Sequence, residues 1–401
     1  MNTRFTRGYR VYLAVACLAV GGTITIQAWA GSLDEALTGG TASLDIRMRY
    51  ENVDQDNALD SADALTVRTR LGYMTGDYRA LSAFVEMENT TALIEDYNSG
   101  PGGNGKSDYA IVADPELTEV NQAFLKFSGV TDTLAKLGRQ RIIHDNARFV
   151  GNVGWRQNEQ TYDAFRLDNE TLPDTRLSYA YLDNVRDIFG NDTDVGSHLL
   201  NARYDGLPLG ALVAYGYFTD FKDAPANSQQ TLGLRFAGTH EYEAFKLLYT
   251  LEAAQQSDYE DGDSGIDAAY RLLELGVTIR GITGKIGYEL LGGDDFSGFE
   301  TPLATKHAFN GWADMFLNTP TDGLQDTYLQ VGGKWAGTKL LAVYHDFQAD
   351  KGSADYGTEV DLLAARKFAK RYTVGLKYAG YRADTWQVDT DKFWLWGELK
   401  I

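Results

Sequence analysis

The feature that most constrains the fold is a regular alternation of apolar and polar residues, which follows the N-terminal segment and continues to the end of the chain. In residues 64–73, for example, Leu65 and Val67 fall on one face while Arg68 and Arg70 fall on the other. Successive side chains of a β-strand point to opposite faces, so this period of two predicts strands. Each such strand separates an apolar environment from a polar one.

Eighteen runs share this alternation. They lie near residues 43–52, 64–74, 79–89, 117–128, 133–143, 161–169, 175–183, 196–205, 208–219, 230–238, 242–254, 269–281, 283–292, 326–336, 338–348, 356–367, 371–382 and 391–401. The apolar pattern leaves the register ambiguous in three of them, near 133–143, 338–348 and 356–367.

The connections between these runs alternate in length. Tight turns follow one strand and long polar segments follow the next, the long ones lying near 53–63, 90–116, 144–160, 184–195, 220–229, 255–268 and 293–325. Short turns at one end and long loops at the other, over an even number of strands, are typical of outer-membrane barrels. The sequence therefore predicts an all-β fold: a transmembrane antiparallel β-barrel of about eighteen strands with short periplasmic turns and long extracellular loops.

A soluble β-sandwich is the main alternative, because its strands also alternate. The positions of the aromatic residues favour the barrel. Rings lie on the apolar face near the ends of several runs, where a membrane protein places its interfacial girdle; they are Tyr50, Tyr73, Phe127, Tyr217, Phe236, Tyr378 and Phe393.

The N-terminal segment has a different character. Three arginines precede an apolar stretch, and Ala28-Trp29-Ala30 supplies the small residues of a cleavage site, which is the pattern of a secretory signal peptide. A buried N-terminal helix is the alternative. We expect a signal peptide at 1–30, a short periplasmic segment at 31–41 and the barrel domain at 42–401.

Composition excludes several classes. The formal net charge of −19 argues against a nucleic-acid partner, and a single cysteine excludes a disulfide framework. No nucleophile motif accompanies any of the five histidines, and no His, Cys and Glu set has metal-ligand spacing. In Tyr344-His345-Asp346 the two polar side chains alternate across a strand and cannot form a dyad. The sequence thus predicts a protein that is not an enzyme and that carries neither a cofactor nor a metal.

Several segments together resemble the alginate-export family of Gram-negative outer-membrane proteins. They are SLDIRMRYENV at 43–53, ALTVRTRLGY at 64–73, EVNQAFLKFSG at 119–129, GRQRIIHDNARFVGNVGWRQNEQTYDAFRLD at 138–168 and YHDFQAD at 344–350. The resemblance implies an eighteen-stranded barrel in the outer membrane that conducts an anionic polysaccharide. One departure is the last residue, Ile401, where C-terminal barrel strands usually end in an aromatic residue.

Basic residues on the polar faces are the candidates for lining a pore, since lumen side chains set size and charge selectivity. The candidates are Arg47, Arg49, Arg68, Arg70, Arg139, Arg141 and Arg166, together with Arg203, Arg235, Arg280, Lys246, Lys285, Lys334 and Lys377. Arginine's planar fork suits repeated contacts with carboxylates. The alternative is that these cations pair with inward acidic residues and only pack the interior; those residues are Asp45, Glu86, Glu88, Glu252, Glu274 and Glu289.

Two pairs, Arg68/Arg70 and Arg139/Arg141, are the strongest candidates for a constriction because residues two apart on a strand point the same way. The connection at 144–160 mixes aromatic and basic residues, and we predict that it folds into the lumen with Arg148, Trp155 and Arg156 near the constriction. A surface loop is the alternative. The connection at 293–325 is a candidate lid because of its length.

Acidic residues gather in the long connections, which reconciles a negative chain with a partly basic lumen. We expect these loops to be solvated and to contact lipopolysaccharide. The predicted function is a passive outer-membrane channel for an anionic solute, such as a uronate oligosaccharide. The alternatives are a general or small-solute-specific porin and a non-conducting structural or adhesive barrel. The sequence leaves open whether the barrel is a monomer or a trimer.

Overall fold

The computed structural model describes residues 31–294 and 296–401, so the expected signal peptide lies outside the described residues. A short helix, α1 (Leu33–Thr38), precedes the barrel. The strands are β1 (Thr41–Gln55), β2 (Ala62–Met74), β3 (Leu81–Asp96), β4 (Leu117–Val130), β5 (Thr133–Gln140), β6 (Thr161–Asn169), β7 (Thr175–Arg186), β8 (Asp192–Leu207), β9 (Gly210–Thr219), β10 (Gln229–Glu241), β11 (Lys246–Asp258), β12 (Asp267–Ile279), β13 (Ile282–Leu291), β14 (Leu324–Trp335), β15 (Thr338–Gln348), β16 (Asp355–Phe368), β17 (Tyr372–Ala383) and β18 (Thr390–Lys400).

The strands form one closed sheet. Each is antiparallel to its neighbours in the sequence, and β1 also pairs with β18 in an unbroken register from Asp45 opposite Lys400 to Gln55 opposite Thr390. Closure pairs both edges of the sheet, which satisfies backbone N–H and C=O groups that lipid cannot solvate. The predicted eighteen-stranded antiparallel barrel is confirmed, and each predicted run corresponds to one strand.

The two faces of each strand meet different surroundings. On β2, Thr66 and Arg68 point inward and are each 1% exposed, whereas Leu71 points outward and is 58% exposed. On β18, Leu395 likewise points outward, as the alternation predicts. One predicted girdle residue is placed differently: Tyr217 lies on the inward face of β9 and is buried. Its neighbours in the sequence are Gly216 and Phe218, neither of which is polar, so the apolar pattern does not distinguish the two faces of β9 at this position.

Two long connections fold into the barrel and fill much of its interior. We name them loop L3 (residues 141–160, between β5 and β6) and loop L7 (residues 292–323, between β13 and β14). In L7, Phe299 and Phe316 pack against inward-facing rings of the wall, such as Tyr270 and Phe347. The loops therefore sit where the lumen would otherwise be open.

Two single-turn 3₁₀-helices, Pro225–Asn227 and Lys306–Ala308, complete the regular structure. No helix in the described part of the chain combines the length and apolar character needed to cross a membrane.

Leu251 tests the assignment of the outward face. It lies outward in the middle of β11 and is 51% exposed. We predict that Leu251→Arg lowers the free energy of unfolding in lipid vesicles by about 2–4 kcal/mol, because a charge would enter the hydrocarbon. Denaturant unfolding followed by tryptophan fluorescence measures this change. The control is Gln330→Arg, whose side chain faces the lumen, with a change of about 0.5 kcal/mol or less. Equal effects of the two substitutions would contradict the assigned faces.

Candidate functional site

Four arginines form a basic wall on the inner faces of β1 and β2. Arg47 lies directly opposite Arg68 in the strand pairing, while Arg49 and Arg70 are their neighbours on the same inward face. All four are at most 7% exposed. Guanidinium groups so close together repel one another, so the wall requires neighbouring acceptors to offset the repulsion and the cost of burial.

Loop L3 supplies many of those acceptors through its backbone. Arg47 donates from Nε to Gln157 Oε1 at 2.9 Å and from a terminal nitrogen to the Gly154 carbonyl at 3.2 Å. It also donates to the Arg156 carbonyl, and Arg49 donates to the Trp155 carbonyl. The wall thus holds L3 inside the barrel. The prediction that this connection folds inward is confirmed by these contacts.

Carboxylates pair with most of the basic side chains. Arg68 bonds Asp45 at 2.6 Å, and Arg70 bonds Glu88. The remaining pairs of this kind are Arg49 with Asp114, Arg141 with Glu86 at 2.7 Å, Arg148 with Glu289 at 2.7 Å, Arg235 with Glu252, and Lys285 with Glu274 at 2.9 Å. The alternative drawn from the sequence, in which cations and inward acids pair, therefore describes much of the interior.

Arg47 is the exception within the basic wall. Its hydrogen bonds go to amide and carbonyl oxygens, and no carboxylate of the described residues lies within 4.0 Å of it. The side chain is 6% exposed. Its charge is therefore solvated by dipoles and not cancelled by an ion pair, which leaves a positive centre in the wall.

Glu159 of L3 is the acidic counterpart of the wall. It pairs with Arg70 at 3.5 Å and with Arg141, and it accepts a hydrogen bond from Asn152 at 2.6 Å. Burial alone would raise the pKa of its carboxyl group, but the two arginines and the amide donors outweigh burial and lower the pKa to about 2. Glu159 is therefore ionised at any ordinary pH and fixes the position of L3 against β2.

A second set of contacts joins L3 to L7. Arg156 of L3 bonds Asp314 of L7 at 3.0 Å and also Glu51 of β1 at 3.0 Å. The rings of Trp155 and His307 are stacked, with centroids 5.2 Å apart and an interplanar angle of 5°. The two loops therefore form one packed unit across the lumen.

His307 links this unit to the opposite wall. Its Nδ1 lies 2.6 Å from Asp314, and its Nε2 lies 2.7 Å from Lys377 Nζ on β17. Burial, with Lys377 nearby, outweighs Asp314 and lowers the pKa of His307 to about 3, so the imidazole is neutral. A neutral ring that donates from Nδ1 to Asp314 and accepts at Nε2 from Lys377 satisfies both contacts.

Among the cavities beside the packed loops in the described residues, two are lined by several charged side chains. The first, of about 400 Å³, opens along the basic wall and is lined by Arg47, Arg68, Arg70 and Arg141, with Lys400 and the carboxylates of Asp45, Glu86, Glu159 and Glu398. The second, of about 240 Å³, lies against β12 to β15 and is lined among others by Glu289, Asp326 and His345. Polar side chains with both signs of charge thus surround the spaces that a solute could enter.

The structure brings some of the predicted residues together. The first cavity gathers Arg47, Arg68, Arg70 and Arg141, while Arg148 and Arg156 anchor L3 to β13 and to L7. Arg166 faces inward on β6 but bonds Asp168 at 2.9 Å, away from this group.

Arg139 is placed differently from the prediction. It shares the face of outward-facing Leu137 and bonds Asp163 at 2.7 Å, so it does not point the same way as Arg141. The reason is that β5 ends at Gln140, after Gly138 with φ +120°, and Arg141 already belongs to L3. Residues i and i+2 point to the same face only when both belong to the same continuous strand.

Sequence reasoning missed the carboxylates of the loops. Asp114, Glu159 and Asp314 are buried partners of the arginines. Glu159 lies in the connection that was predicted to enter the lumen, but only the basic residues of that connection were singled out. Asp114 and Asp314 lie in other long connections, and Trp312 beside Asp314 is a signal that could have indicated burial there.

In the described residues, no group of three or more His, Cys, Asp and Glu is arranged to hold a metal ion.

Comparison with known proteins agrees with this architecture. The family described as Alginate export matches residues 41–291. No curated protein matches the sequence. Among solved structures, OccAB4 of Acinetobacter baumannii is similar with a TM-score of 0.74 at 15% identity, over 90% of this chain and 98% of that one. OpdK of Pseudomonas aeruginosa, solved with vanillate, has a TM-score of 0.74 at 16% identity, over 91% and 99%.

The closed barrel and its loop-filled polar interior define an outer-membrane porin-like channel of a Gram-negative bacterium. These similar structures are outer-membrane porins and not enzymes. The family match covers more than half of the sequence, so the chain belongs to the alginate-export family.

Glu159 gives a pH-dependent test of the L3 anchor. Its pKa falls on folding from the usual 4.5 to about 2, so the stabilisation is present above pH 4.5 and is lost as the pH falls through 2. We predict that Glu159→Gln lowers the free energy of unfolding by about 3 kcal/mol at neutral pH. The difference from the wild type should shrink between pH 4.5 and 2, as measured by unfolding at a series of pH values. A difference that does not depend on pH would contradict the ionic anchor.

Loop anchoring itself is tested by a double substitution. We predict that Arg148→Ala with Arg156→Ala raises single-channel conductance in planar bilayers, because L3 loses its ion pairs with Glu289 and Glu51 of the wall and with Asp314 of L7. The matched control is Arg176→Ala with Arg203→Ala, which removes two ion-paired arginines near the periplasmic turns. Unchanged conductance in the loop variant would exclude L3 from the conduction pathway.

Proposed function

We propose that this channel passes solutes bearing carboxylates, with uronate oligosaccharides as the leading class. The observation that carries the proposal is the basic wall beside the first cavity, and above all Arg47, whose charge no carboxylate of the described residues cancels. Arginine presents a planar pair of donors that matches a carboxylate, and several in a row allow a chain of carboxylates to pass from one to the next.

Membership of the alginate-export family supports a uronate chain as the solute, because alginate is an anionic uronate polymer. The wall fits such a solute chemically. Arg47 can bind a carboxylate of the solute without losing an internal ion pair, whereas a guanidinium that is paired internally has to share its donors, because a full exchange would leave a buried carboxylate unpaired. Passage is then passive, and the residues proposed to line it are Arg47, Arg49, Arg68, Arg70, Arg141, Arg148 and Arg156.

A second candidate is a porin specific for small carboxylates. The size of the first cavity, about 400 Å³, favours it, because this space holds one small molecule beside the loops as they are packed. The similar OpdK structure was solved with vanillate, a small aromatic carboxylate. The two candidate functions use the same basic wall. They differ in whether loops L3 and L7 must move to let the solute pass.

Planar-bilayer recording separates the candidates. We expect a steady current that a uronate oligosaccharide blocks, while a neutral oligosaccharide of the same length blocks it much less. Block by benzoate-type carboxylates without block by oligouronates would favour the small-solute porin. A current that neither solute affects would indicate a general porin, and the absence of current would indicate a structural barrel.

Arg47→Gln is the sharpest variant for this experiment, since removing Arg47 leaves no carboxylate without its partner. We predict that it weakens block by oligouronates about tenfold, which corresponds to losing one charged contact of roughly 1.4 kcal/mol. The control is Arg203→Gln, whose guanidinium pairs with Asp205 near the periplasmic end. Equal block in Arg47→Gln and the wild type would contradict the role of the wall.

A further inference from the structure

The periplasmic ends of β14 to β17 carry a concentration of positive charge. The segment 332–341, which contains the turn between β14 and β15, has two lysines and no acidic residue. The segment 363–375, around the next turn, has four basic residues and no acidic residue. The chain as a whole has a net charge of −19, so two neighbouring turns that carry only positive charge differ clearly from the rest of the sequence.

Strand register places two of these lysines on the inward face. Lys334 shares its face of β14 with Gln330, and Lys339 shares its face of β15 with Leu341. Both Gln330 and Leu341 line the second cavity, so the lysines extend the same inward surface toward the periplasmic mouth. Both are exposed.

A third lysine joins them from β16. Lys367 lies an even number of residues after buried Asp361 on β16, so both residues are on the inward face. The strand pairing sets Lys339 opposite Ala365, which makes Lys367 its diagonal neighbour on the same face. We name Lys334, Lys339 and Lys367 the lysine collar.

The collar is electrostatically unbalanced. Lys334 and Lys339 lie directly opposite each other in the β14–β15 pairing, and like charges at such positions destabilise a sheet. In the part of the chain that the structure describes, none of the three has a carboxylate within 4.0 Å, whereas Lys285 on β13 pairs with Glu274. The arrangement does not favour stability, and it leaves three positive charges available to an anion from outside the protein.

We propose that the lysine collar is a capture site for carboxylate-bearing chains at the periplasmic mouth, a site separate from the arginines of the basic wall. This inference rests on the proposed function. Lysine carries a mobile point charge on a flexible stem, which suits brief, orientation-tolerant contacts better than a fixed bidentate fork. A mouth of one sign raises the local concentration of the opposite charge and speeds association. Solutes arriving from the periplasm are therefore gathered before they reach the wall.

The experiment compares two triple variants in planar bilayers. The collar variant is Lys334→Gln, Lys339→Gln and Lys367→Gln. The control variant, Arg79→Gln, Arg176→Gln and Arg203→Gln, removes the same charge from periplasmic ends of other strands, where two of the three arginines are ion-paired. Lys351→Cys is added to every protein, so that an impermeant thiol reagent reports which side of the barrel faces each chamber; the sequence after residue 30 otherwise lacks cysteine.

The measured quantity is the association rate of an oligouronate with the channel, taken from block events at low salt. We predict that the collar variant lowers this rate roughly tenfold when the oligouronate is added on the periplasmic side and leaves it unchanged on the other side. The difference should disappear at about 1 M salt, where charges are screened within ~3 Å. Unchanged association rates in the collar variant, or an equal fall of the rate in the control variant, would contradict the proposed capture site.

The outcome also separates the collar from the proposed function. If oligouronates do not block the wild type from either side, the proposed uronate cargo is wrong. The same recordings then give the permeability ratio of chloride to potassium. A fall of this ratio in the collar variant, without a fall in the control variant, keeps the collar as an anion-attracting mouth, and an unchanged ratio removes it.

Discussion

The requirement that every backbone polar group be paired within the membrane governs this molecule. Pairing β1 with β18 closes the sheet, and a closed sheet of eighteen strands leaves an interior too wide for wall side chains alone to fill. Loops L3 and L7 enter that space. Every second residue of each strand then faces a protein interior that is polar, crowded and shielded from lipid.

Crowding of charge inside the barrel sets the position of the loops. Buried guanidinium groups require acceptors, and the loops supply them as carbonyl oxygens beside Arg47 and as carboxylates beside Arg70 and Arg156. The same pairing that fixes the loops also decides how much positive charge is left for a solute. Structure and proposed selectivity are thus two consequences of one network.

The fold was predictable because period two is a property of the sequence itself. Eighteen runs correspond to eighteen strands, and the inward positions of Arg47 and Arg68 follow from alternation alone. Alternation does not predict the face of a residue where a strand ends, or where the residue is aromatic and can lie either in lipid or in the interior. Arg139 lies at the end of β5, and Tyr217 faces a lumen that L3 makes apolar locally.

The acidic partners of the interior arginines were harder to predict from the sequence than the strands were. Asp314 and Glu159 lie in long connections, where no alternation assigns a direction to a side chain, and only the folded chain brings them against the arginines. The inward orientation of Lys339 and Lys367 depends on registers that the apolar pattern leaves ambiguous. Long-range pairing, which no local period encodes, supplies that information.

The reversal potential of the wild-type channel in a tenfold gradient of potassium chloride tests the central claim most directly, since it reports the charge that the lumen presents to a passing ion. If the arginines of the basic wall outweigh their internal carboxylates along the pathway, the potential has the sign expected for preferential passage of chloride. A reversal potential of the opposite sign, showing preferential passage of potassium, would contradict a pathway selective for carboxylates.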